Sequence, residues 1–369
     1  MTTTAATGGA TSETGATSGG GADTGGAAAG AGGAGADVAA SPPTQAAAQR
    51  MPWQLKFGSL ALIWGSSFLL MKIGLRSLAP LQISGLRIFA GAATLVVLLS
   101  LTGGRLPRGR RTWAHLAVSG VFLSVLPFSL FALGEERVSS ALAGIGNATT
   151  PLVAVVCSLV LLPSERLAPH KLAAVLVGFV GVVVIMQPWA AAGRPNLLGF
   201  GMTLVAGASY GLGWTYNRRF LGQVDFGGLS MPAALLLVGS VLMVPVLAIW
   251  WWTQRATLDA PWSLHASTTG GSALTPVLAT LALGLVGTGL AYMLQFDVVR
   301  AAGATVSTTV TYLIPVVSVL LGVVVLDEHL AWPQLLGAAI VLGSAVVVGW
   351  PRRAGSRSVR RPRRRPQAA

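Results

Sequence analysis

Two cationic side chains lie inside long apolar stretches of this 369-residue chain. Lys72 and Arg87 fall within the apolar segments 55–75 and 81–101. A charge inside a membrane-crossing helix is costly, so it usually serves a function. Each could pair with backbone carbonyls, with Glu135 or Glu136, or with an anionic group of a substrate. Snorkelling of either side chain to lipid headgroups is the structural alternative.

Polar side chains precede a proline in two other apolar segments. Asn147, Thr149 and Thr150 come before Pro151, and the run Thr308, Thr309, Thr311 and Tyr312 comes before Pro315. A proline frees a carbonyl one turn back, where a ligand can bind; the alternative is that these hydroxyls bond to their own helix. Together with aromatic residues of other segments, the predicted binding residues are Trp64, Lys72, Arg87, Asn147, Thr150, Tyr210, Trp214, Tyr292, Gln295, Thr308 and Tyr312.

The elements that must position these residues are membrane helices. Hydrophobic residues make up 53% of the chain and charged residues 10%, whereas soluble domains have roughly 25% charged residues. A helix needs about 20 apolar residues to cross a bilayer. Ten segments qualify: 55–75, 81–101, 113–133, 140–162, 171–189, 198–217, 229–252, 274–296, 303–326 and 331–350. We therefore predict an all-α polytopic membrane protein with ten transmembrane helices.

The distribution of Lys and Arg predicts the orientation of these helices. With a cytoplasmic N-terminus, inside segments hold 19 Lys and Arg and outside segments hold 4. Positive residues favour the cytoplasmic side. Because ten is even, both termini are predicted to be cytoplasmic.

An internal repeat divides the ten segments into five and five. Pro151 aligns with Pro315 and Glu165 with Glu328, while Trp64-Gly65 aligns with Tyr210-Gly211. Each half has an odd number of segments, so the two halves are predicted to be inverted relative to each other. Inverted repeats are typical of secondary transporters, whose binding site lies between the halves.

No carboxylate lies in the middle of an apolar segment, and the candidates for carrying a proton are five acids at segment ends: Glu135, Glu136, Glu165, Asp297 and Glu328. Glu165 and Glu328 are the predicted gating or proton-coupling pair, because the repeat places them at opposite membrane faces. The alternative is that all five are interfacial charges that set loop positions.

The chain lacks the residues that several other kinds of activity require. There is no Gly-Lys sequence of a Walker A loop, no HExxH, and only one cysteine, Cys157. The four His residues are far apart, so we expect no metal and no cofactor. No Asp pair lies mid-segment, which argues against an aspartyl intramembrane protease; a serine protease stays open, because serine is common. We therefore expect a protein that is not an enzyme.

Several of these residues resemble one transporter family. Trp64-Gly65-Ser66-Ser67-Phe68 followed by Lys72, then Leu86-Arg87, and above all segment 291–345 are similar to EamA-type members of the drug/metabolite transporter superfamily. The resemblance covers about residues 55–350. It implies a ten-helix transporter of small metabolites, commonly an exporter, with both termini in the cytoplasm.

The predicted organisation has four parts. Residues 1–54 form a disordered tail, since 37 of the first 50 are Ala, Gly or Thr. Residues 55–189 and 198–350 form the two five-helix repeats. The Arg-rich segment 351–369 is predicted to contact anionic headgroups rather than nucleic acid, and a homodimer stays open.

The predicted function is secondary transport of a small metabolite or drug-like molecule across the inner (cytoplasmic) membrane by alternating access. Export and proton coupling are the expected direction and energy source. The alternatives are an uncoupled facilitator, a membrane scaffold, or a lipid-handling membrane enzyme.

Overall fold

The structure, a computed structural model, describes residues 51–162, 169–187, 189–190, 194–224, 226–257, 259–264, 272–302 and 310–349. These residues form α-helices joined by short turns, and no strand occurs among them. The all-helical class predicted from composition is confirmed.

The helices of the first half have the following bounds: α1 Trp53–Gly74, α2 Pro80–Leu101, α3 Arg110–Gly120, α4 Leu126–Glu135, α5 Ser140–Asn147, α6 Thr150–Leu161 and α7 Pro169–Met186. Those of the second half are α8 Leu197–Phe220, α9 Ser230–Gln254, α10 Leu274–Gly284, α11 Ala291–Ala302, α12 Val310–Leu326 and α13 Trp332–Gly349. Two π-helical segments, Val121–Val125 and Leu285–Leu290, join α3 to α4 and α10 to α11.

Eight of the described helical segments are long and apolar enough to cross a membrane, which matches the first eight predicted spans. Two of them are compound: Arg110–Glu135 contains α3 and α4, and Leu274–Ala302 contains α10 and α11. The last two predicted spans correspond to shorter apolar helices, α12 and α13. The predicted count of ten spans is therefore supported for eight helices, and residues 303–309 of the ninth lie outside the described residues.

Local sequence explains where several helices begin. Ser139 accepts a hydrogen bond from the Leu142 amide (3.2 Å) at the start of α5. Asn196 accepts one from the Gly199 amide (2.8 Å) at the start of α8. Both are N-cap residues, which satisfy amides that have no partner within the helix.

Helix α8 reaches the centre of the bundle because glycines let it approach its neighbours. A Cβ on Gly207 would lie 2.7 Å from the Gly146 carbonyl oxygen and 2.7 Å from Thr149 Oγ1. A Cβ on Gly211 would lie 2.7 Å from the Thr150 carbonyl oxygen. Close approach through small residues is typical of membrane helices. It brings α8 against the ends of α5 and α6, where polar side chains meet.

Candidate functional site

A cavity of about 110 Å³ lies in the middle of the bundle. Both halves of the chain contribute to its wall. Seven of the fifteen described lining residues are aromatic: Trp64, Phe68, Phe128, Phe131, Tyr210, Trp214 and Tyr292. The remaining lining residues are Ser67, Arg87, Asn147, Thr150, Gly287, Thr288, Thr311 and Ile314. We call this the central cavity.

Aromatic contacts fix the shape of the central cavity. The Trp64 and Tyr292 rings meet edge to face, with centroids 6.3 Å apart. The Phe68 and Phe131 rings do the same at 5.3 Å. Edge-to-face pairs of this kind are a favoured packing geometry. The wall is thus built by ring contacts that link helices far apart in sequence.

Arg87 supplies the only charge in the wall of the central cavity, among the lining residues that the structure describes. Its side chain is 8% exposed. The Nε atom donates to Thr288 Oγ1 (3.1 Å), and the guanidinium carbon lies 3.9 Å from the centre of the Phe128 ring. In the described part of the chain no carboxylate lies within ion-pair distance of Arg87. A guanidinium has five N–H donors, so this group can bind an anionic ligand.

The internal repeat organises the wall of the central cavity. An offset of 164 residues places Phe128 over Tyr292, Asn147 over Thr311 and Thr150 over Ile314. An offset of 146 residues places Trp64 over Tyr210 and Phe68 over Trp214. All ten of these residues line the cavity. The offset of 164 also superimposes the first residues of the two π-helical segments, Val121 and Leu285.

The two lining residues Asn147 and Thr311 share a position relative to proline. Each stands four residues before a proline, Pro151 at the start of α6 and Pro315 inside α12. Proline has no N–H and cannot donate the usual hydrogen bond to the carbonyl four residues earlier. The local structure differs between the halves: α5 ends at Asn147, whereas α12 continues through Pro315.

A second cavity, of about 680 Å³, lies beyond the C-terminal end of α4 and has a charged wall. Its lining residues are Lys72, Leu75, Arg76, Glu135, Glu136, Arg137, Leu326 and Glu328. We call it the charged cavity. The two cavities share no lining residue among those described.

Lys72 and Glu328 each bind the backbone in the charged cavity. Lys72 Nζ donates to the carbonyl oxygens of Glu135 (2.5 Å) and Val138 (2.8 Å). The Glu328 carboxylate accepts hydrogen bonds from the Ser140 amide (2.7 Å), the Ser140 hydroxyl (3.0 Å) and the Ala141 amide (3.0 Å). Glu328 therefore caps the N-terminus of α5 from the turn after α12, where a negative charge is stabilising.

The residues predicted from sequence divide among these places. The central cavity holds Trp64, Arg87, Asn147, Thr150, Tyr210, Trp214 and Tyr292. The charged cavity holds Lys72 and Glu328. Gln295 and Tyr312 are half-buried and lie outside both linings. Thr308 and Glu165 lie outside the described residues. Ser67, Phe68, Phe128, Phe131, Gly287, Thr288, Thr311 and Ile314 also line the central cavity and are absent from the predicted set.

The pentapeptide Gly207–Gly211, a Gly-x-x-x-Gly packing pattern, can also be read as Gly-x-Ser-x-Gly, centred on Ser209. A hydrolase nucleophile with this pattern stands on a sharp strand-to-helix turn. Ser209 instead lies within the continuous helix α8 and donates to the Phe122 carbonyl oxygen (2.7 Å). The pattern therefore serves helix packing here.

The chain is similar to a family of transporters over most of its length. The family model described as the EamA-like transporter family matches residues 52–187 and, a second time, residues 197–350. An uncharacterized transporter of Archaeoglobus fulgidus is 25% identical over 288 residues, which cover 77% of this chain and 94% of the relative. The uncharacterized inner membrane transporter YedA of Escherichia coli K12 is 26% identical over 292 residues, with coverages of 79% and 88%.

Two further comparisons concern function and fold. A probable amino-acid metabolite efflux pump of Escherichia coli K12 is 24% identical over 293 residues, covering 78% of this chain and 92% of the relative. A solved structure described only as the crystal structure of a protein superposes with a TM-score of 0.52 at 22% identity. The superposition covers 80% of this chain and 95% of that structure. The likeness concerns the fold.

Proposed function

This chain belongs to the EamA-like transporter family, and on that premise we propose that it is a secondary transporter that exports a small amphipathic metabolite or drug-like molecule by alternating access. Its place is the inner (cytoplasmic) membrane, with both termini in the cytoplasm. The observation that carries the proposal is the central cavity, whose wall is built from residue pairs matched between the two repeats. A site between repeats is what alternating access requires.

The cavity wall also indicates the chemistry of the substrate. Seven aromatic rings supply apolar surface, and the Arg87 guanidinium supplies one cation beside the Thr288 hydroxyl. A molecule with a carboxylate and an apolar body fits both features, since guanidinium and carboxylate form strong charge-assisted hydrogen bonds. Amino acids have this form. One relative from Escherichia coli and one from Salmonella typhimurium are each named as a probable amino-acid metabolite efflux pump. Amino acids are therefore the first class to test.

The experiment is an uptake screen with purified protein in proteoliposomes. Radiolabelled amino acids, nucleosides and drugs are offered with and without a pH gradient. We expect a carboxylate-bearing compound to be transported and to accumulate when the gradient is applied. Transport of that compound without any response to the gradient identifies a facilitator. No flux above empty liposomes for any compound contradicts the proposal.

A further inference from the structure

Glu135 is a buried carboxylate without a partner. It is the last residue of α4, its exposure is 0%, and it lines the charged cavity. Neither Oε1 nor Oε2 has a hydrogen-bond partner within the described part of the chain. An isolated ionised carboxylate in such a place is very costly. The Glu135 side chain therefore needs a proton or a cation to neutralise it.

Three other carboxylates near segment ends, all within the described residues, already have partners. Glu328 accepts three hydrogen bonds at the start of α5. Glu136 is exposed and lies 3.7 Å from Arg137. Asp297 accepts from Lys56 (2.6 Å) and from Arg300 (2.8 Å). Among the described acids at these ends, only Glu135 combines full burial with a lack of partners.

The groups that face Glu135 from the surrounding elements are mostly basic. From α1, Lys72 binds the Glu135 carbonyl oxygen rather than its carboxylate. From α2 the charged group is Arg87, which bonds to Thr288, and α8 contributes Tyr210, whose ring contacts Phe131 of α4. The rim of the charged cavity adds Arg76, Arg137 and the acid Glu136, and Glu328 faces it from the turn after α12. Helix α5 presents no titratable side chain.

The basic residues around Glu135 favour a proton over a metal ion as the cation that neutralises its carboxylate. A sodium-like cation needs several oxygen ligands. Lys72, Arg76 and Arg137 line the same cavity and would repel it. The carbonyl oxygens of Glu135 and Val138, which could act as ligands, already bind Lys72. A proton needs only the carboxylate itself.

We propose that Glu135 is the residue that binds the coupling proton, and that the charged cavity is its path to water; the proposal rests on the transport function proposed above. Proton uptake converts the carboxylate into a carboxylic acid, and the proton comes from water in the charged cavity. When Glu135 releases the proton, its carboxylate becomes an anionic partner for the Lys72 ammonium, which is bound to the carbonyl oxygen of the same residue. Lys72 then leaves the carbonyl oxygens of Glu135 and Val138, and the contact between α1 and α4 changes.

The same two helices carry this change to the central cavity. Phe68 precedes Lys72 by four residues on α1, and Phe131 precedes Glu135 by four residues on α4. Four residues are one helical turn, about 6 Å. The Phe68 and Phe131 rings pack against each other and line the central cavity. The aromatic pair thus lies between the proton site and the substrate site, so a shift of α1 against α4 alters the wall that holds the substrate.

The test compares Glu135→Gln with Asp259→Asn in reconstituted full-length protein. Asp259 is the control because it is an exposed carboxylate of the loop after α9 and lines neither cavity. Infrared difference spectra between about pH 6 and about pH 10, above the range in which exposed carboxylates titrate, should show the carbonyl band of a carboxylic acid in the unaltered protein and in Asp259→Asn. The band should be lost in Glu135→Gln and restored in Glu135→Asp, which keeps a carboxylate. A band that persists in Glu135→Gln would overturn the proposal.

The second readout is flux of the compound found in the uptake screen. Glu135→Gln should reduce gradient-driven accumulation to the level without a gradient, while exchange at equal pH continues; Asp259→Asn should change neither. Gradient-driven accumulation by Glu135→Gln equal to that of the unaltered protein would also overturn the proposal. The infrared band needs no substrate, so it tests the proton site even if the screen finds no transport. Unchanged thermal denaturation of each variant shows that folding is intact.

Discussion

The two halves of the chain are alike at matched positions that line the central cavity and unlike at Arg87, the charge of its wall. Trp64 matches Tyr210 and Phe128 matches Tyr292, and all four line the cavity. Arg87 has no such match, because α9, the second helix of the other half, contains no Lys or Arg. The repeat supplies a wall with equivalent surfaces on both sides. The unmatched Arg87 gives the cavity wall a cation that, among the described lining residues, comes from the first half alone.

The matched wall residues and the unmatched charges have different proposed roles. A wall built from matched surfaces suits two alternating openings, since each half can take the role of the other. In our proposals Arg87 binds the substrate and Glu135 binds the proton, and both charges belong to the first half. The charged cavity contains Glu135 and not Arg87, and the central cavity contains Arg87 and not Glu135. We therefore expect substitutions in the two places to affect different measurements.

The largest expected effect is an all-or-none difference in labelling across the membrane. In a Cys157→Ser background, Glu136→Cys at the charged cavity should react with an impermeant thiol reagent added to intact cells. Ser356→Cys in the Arg-rich tail should react only after the cells are opened, because the Lys and Arg distribution places the tail inside. Reaction of Ser356→Cys in intact cells would contradict the orientation.

The next largest effect is expected at Arg87, the cation that has no counterpart in the second half. Arg87→Gln should lower transport at limiting substrate concentration by roughly 10- to 100-fold, since hydrogen bonds to charged groups contribute about 1.5–3 kcal/mol. Arg76→Gln is the control, because Arg76 is an exposed cation of the charged cavity. Flux is compared at equal membrane abundance. Equal flux for Arg87→Gln and the unaltered protein would remove Arg87 from substrate binding.

A smaller effect is expected at the contact between the halves in the charged cavity. Glu328→Gln removes the charge from a cap that binds two amides and a hydroxyl of α5. Caps of this kind are worth about 1 kcal/mol, so the midpoint of thermal denaturation should fall. Glu136→Gln should leave the midpoint unchanged. If the two variants have the same midpoint, Glu328 contributes nothing to the stability of α5.

An effect on stability of the same order tests the packing that brings α8 to the cavity. Gly207→Ala should destabilise the protein by roughly 1–3 kcal/mol, the usual cost of overpacking, because its Cβ would collide with α5 and Thr149. Gly201→Ala on the same helix has nothing within 4 Å of the new Cβ. Chemical denaturation in detergent measures both. Because Ala favours a helix more than Gly does, similar losses in the two variants would mean that the close approach of Gly207 to α5 is not the cause.

The sequence predicts the helices well because hydrophobic length is a local property. Eight predicted spans match described helices closely. The ends differ where apolar and interfacial residues mix, as in Leu274–Ala302, which extends six residues beyond the predicted 274–296. The proline at 315 leaves α12 helical, since a proline can stay inside a packed membrane helix.

The cavity wall is predictable only in part. Arg87 and Asn147 stand out because polar groups are rare in apolar segments. Phe128 and Phe131 do not, because a phenylalanine that lines a cavity has the same sequence signature as one that faces lipid, and the difference depends on helix rotation. The repeat offsets contain a usable signal: they place Phe68 over Trp214 and Thr311 over Asn147. The burial of Glu135 has no local signal, because it depends on the helices packed around α4.

Substrate protection of a cysteine in the cavity wall tests the central claim most directly. Ser67→Cys changes one atom of a buried residue that lines the central cavity, and native Cys157, outside that lining, serves as the internal control. The transported compound should slow alkylation of Ser67→Cys by a small permeant reagent, with half-protection at the concentration that gives half-maximal flux. It should leave Cys157 unaffected, and Arg87→Gln should abolish the protection. Equal alkylation of Ser67→Cys with and without saturating compound would contradict the assignment of the central cavity as the substrate site.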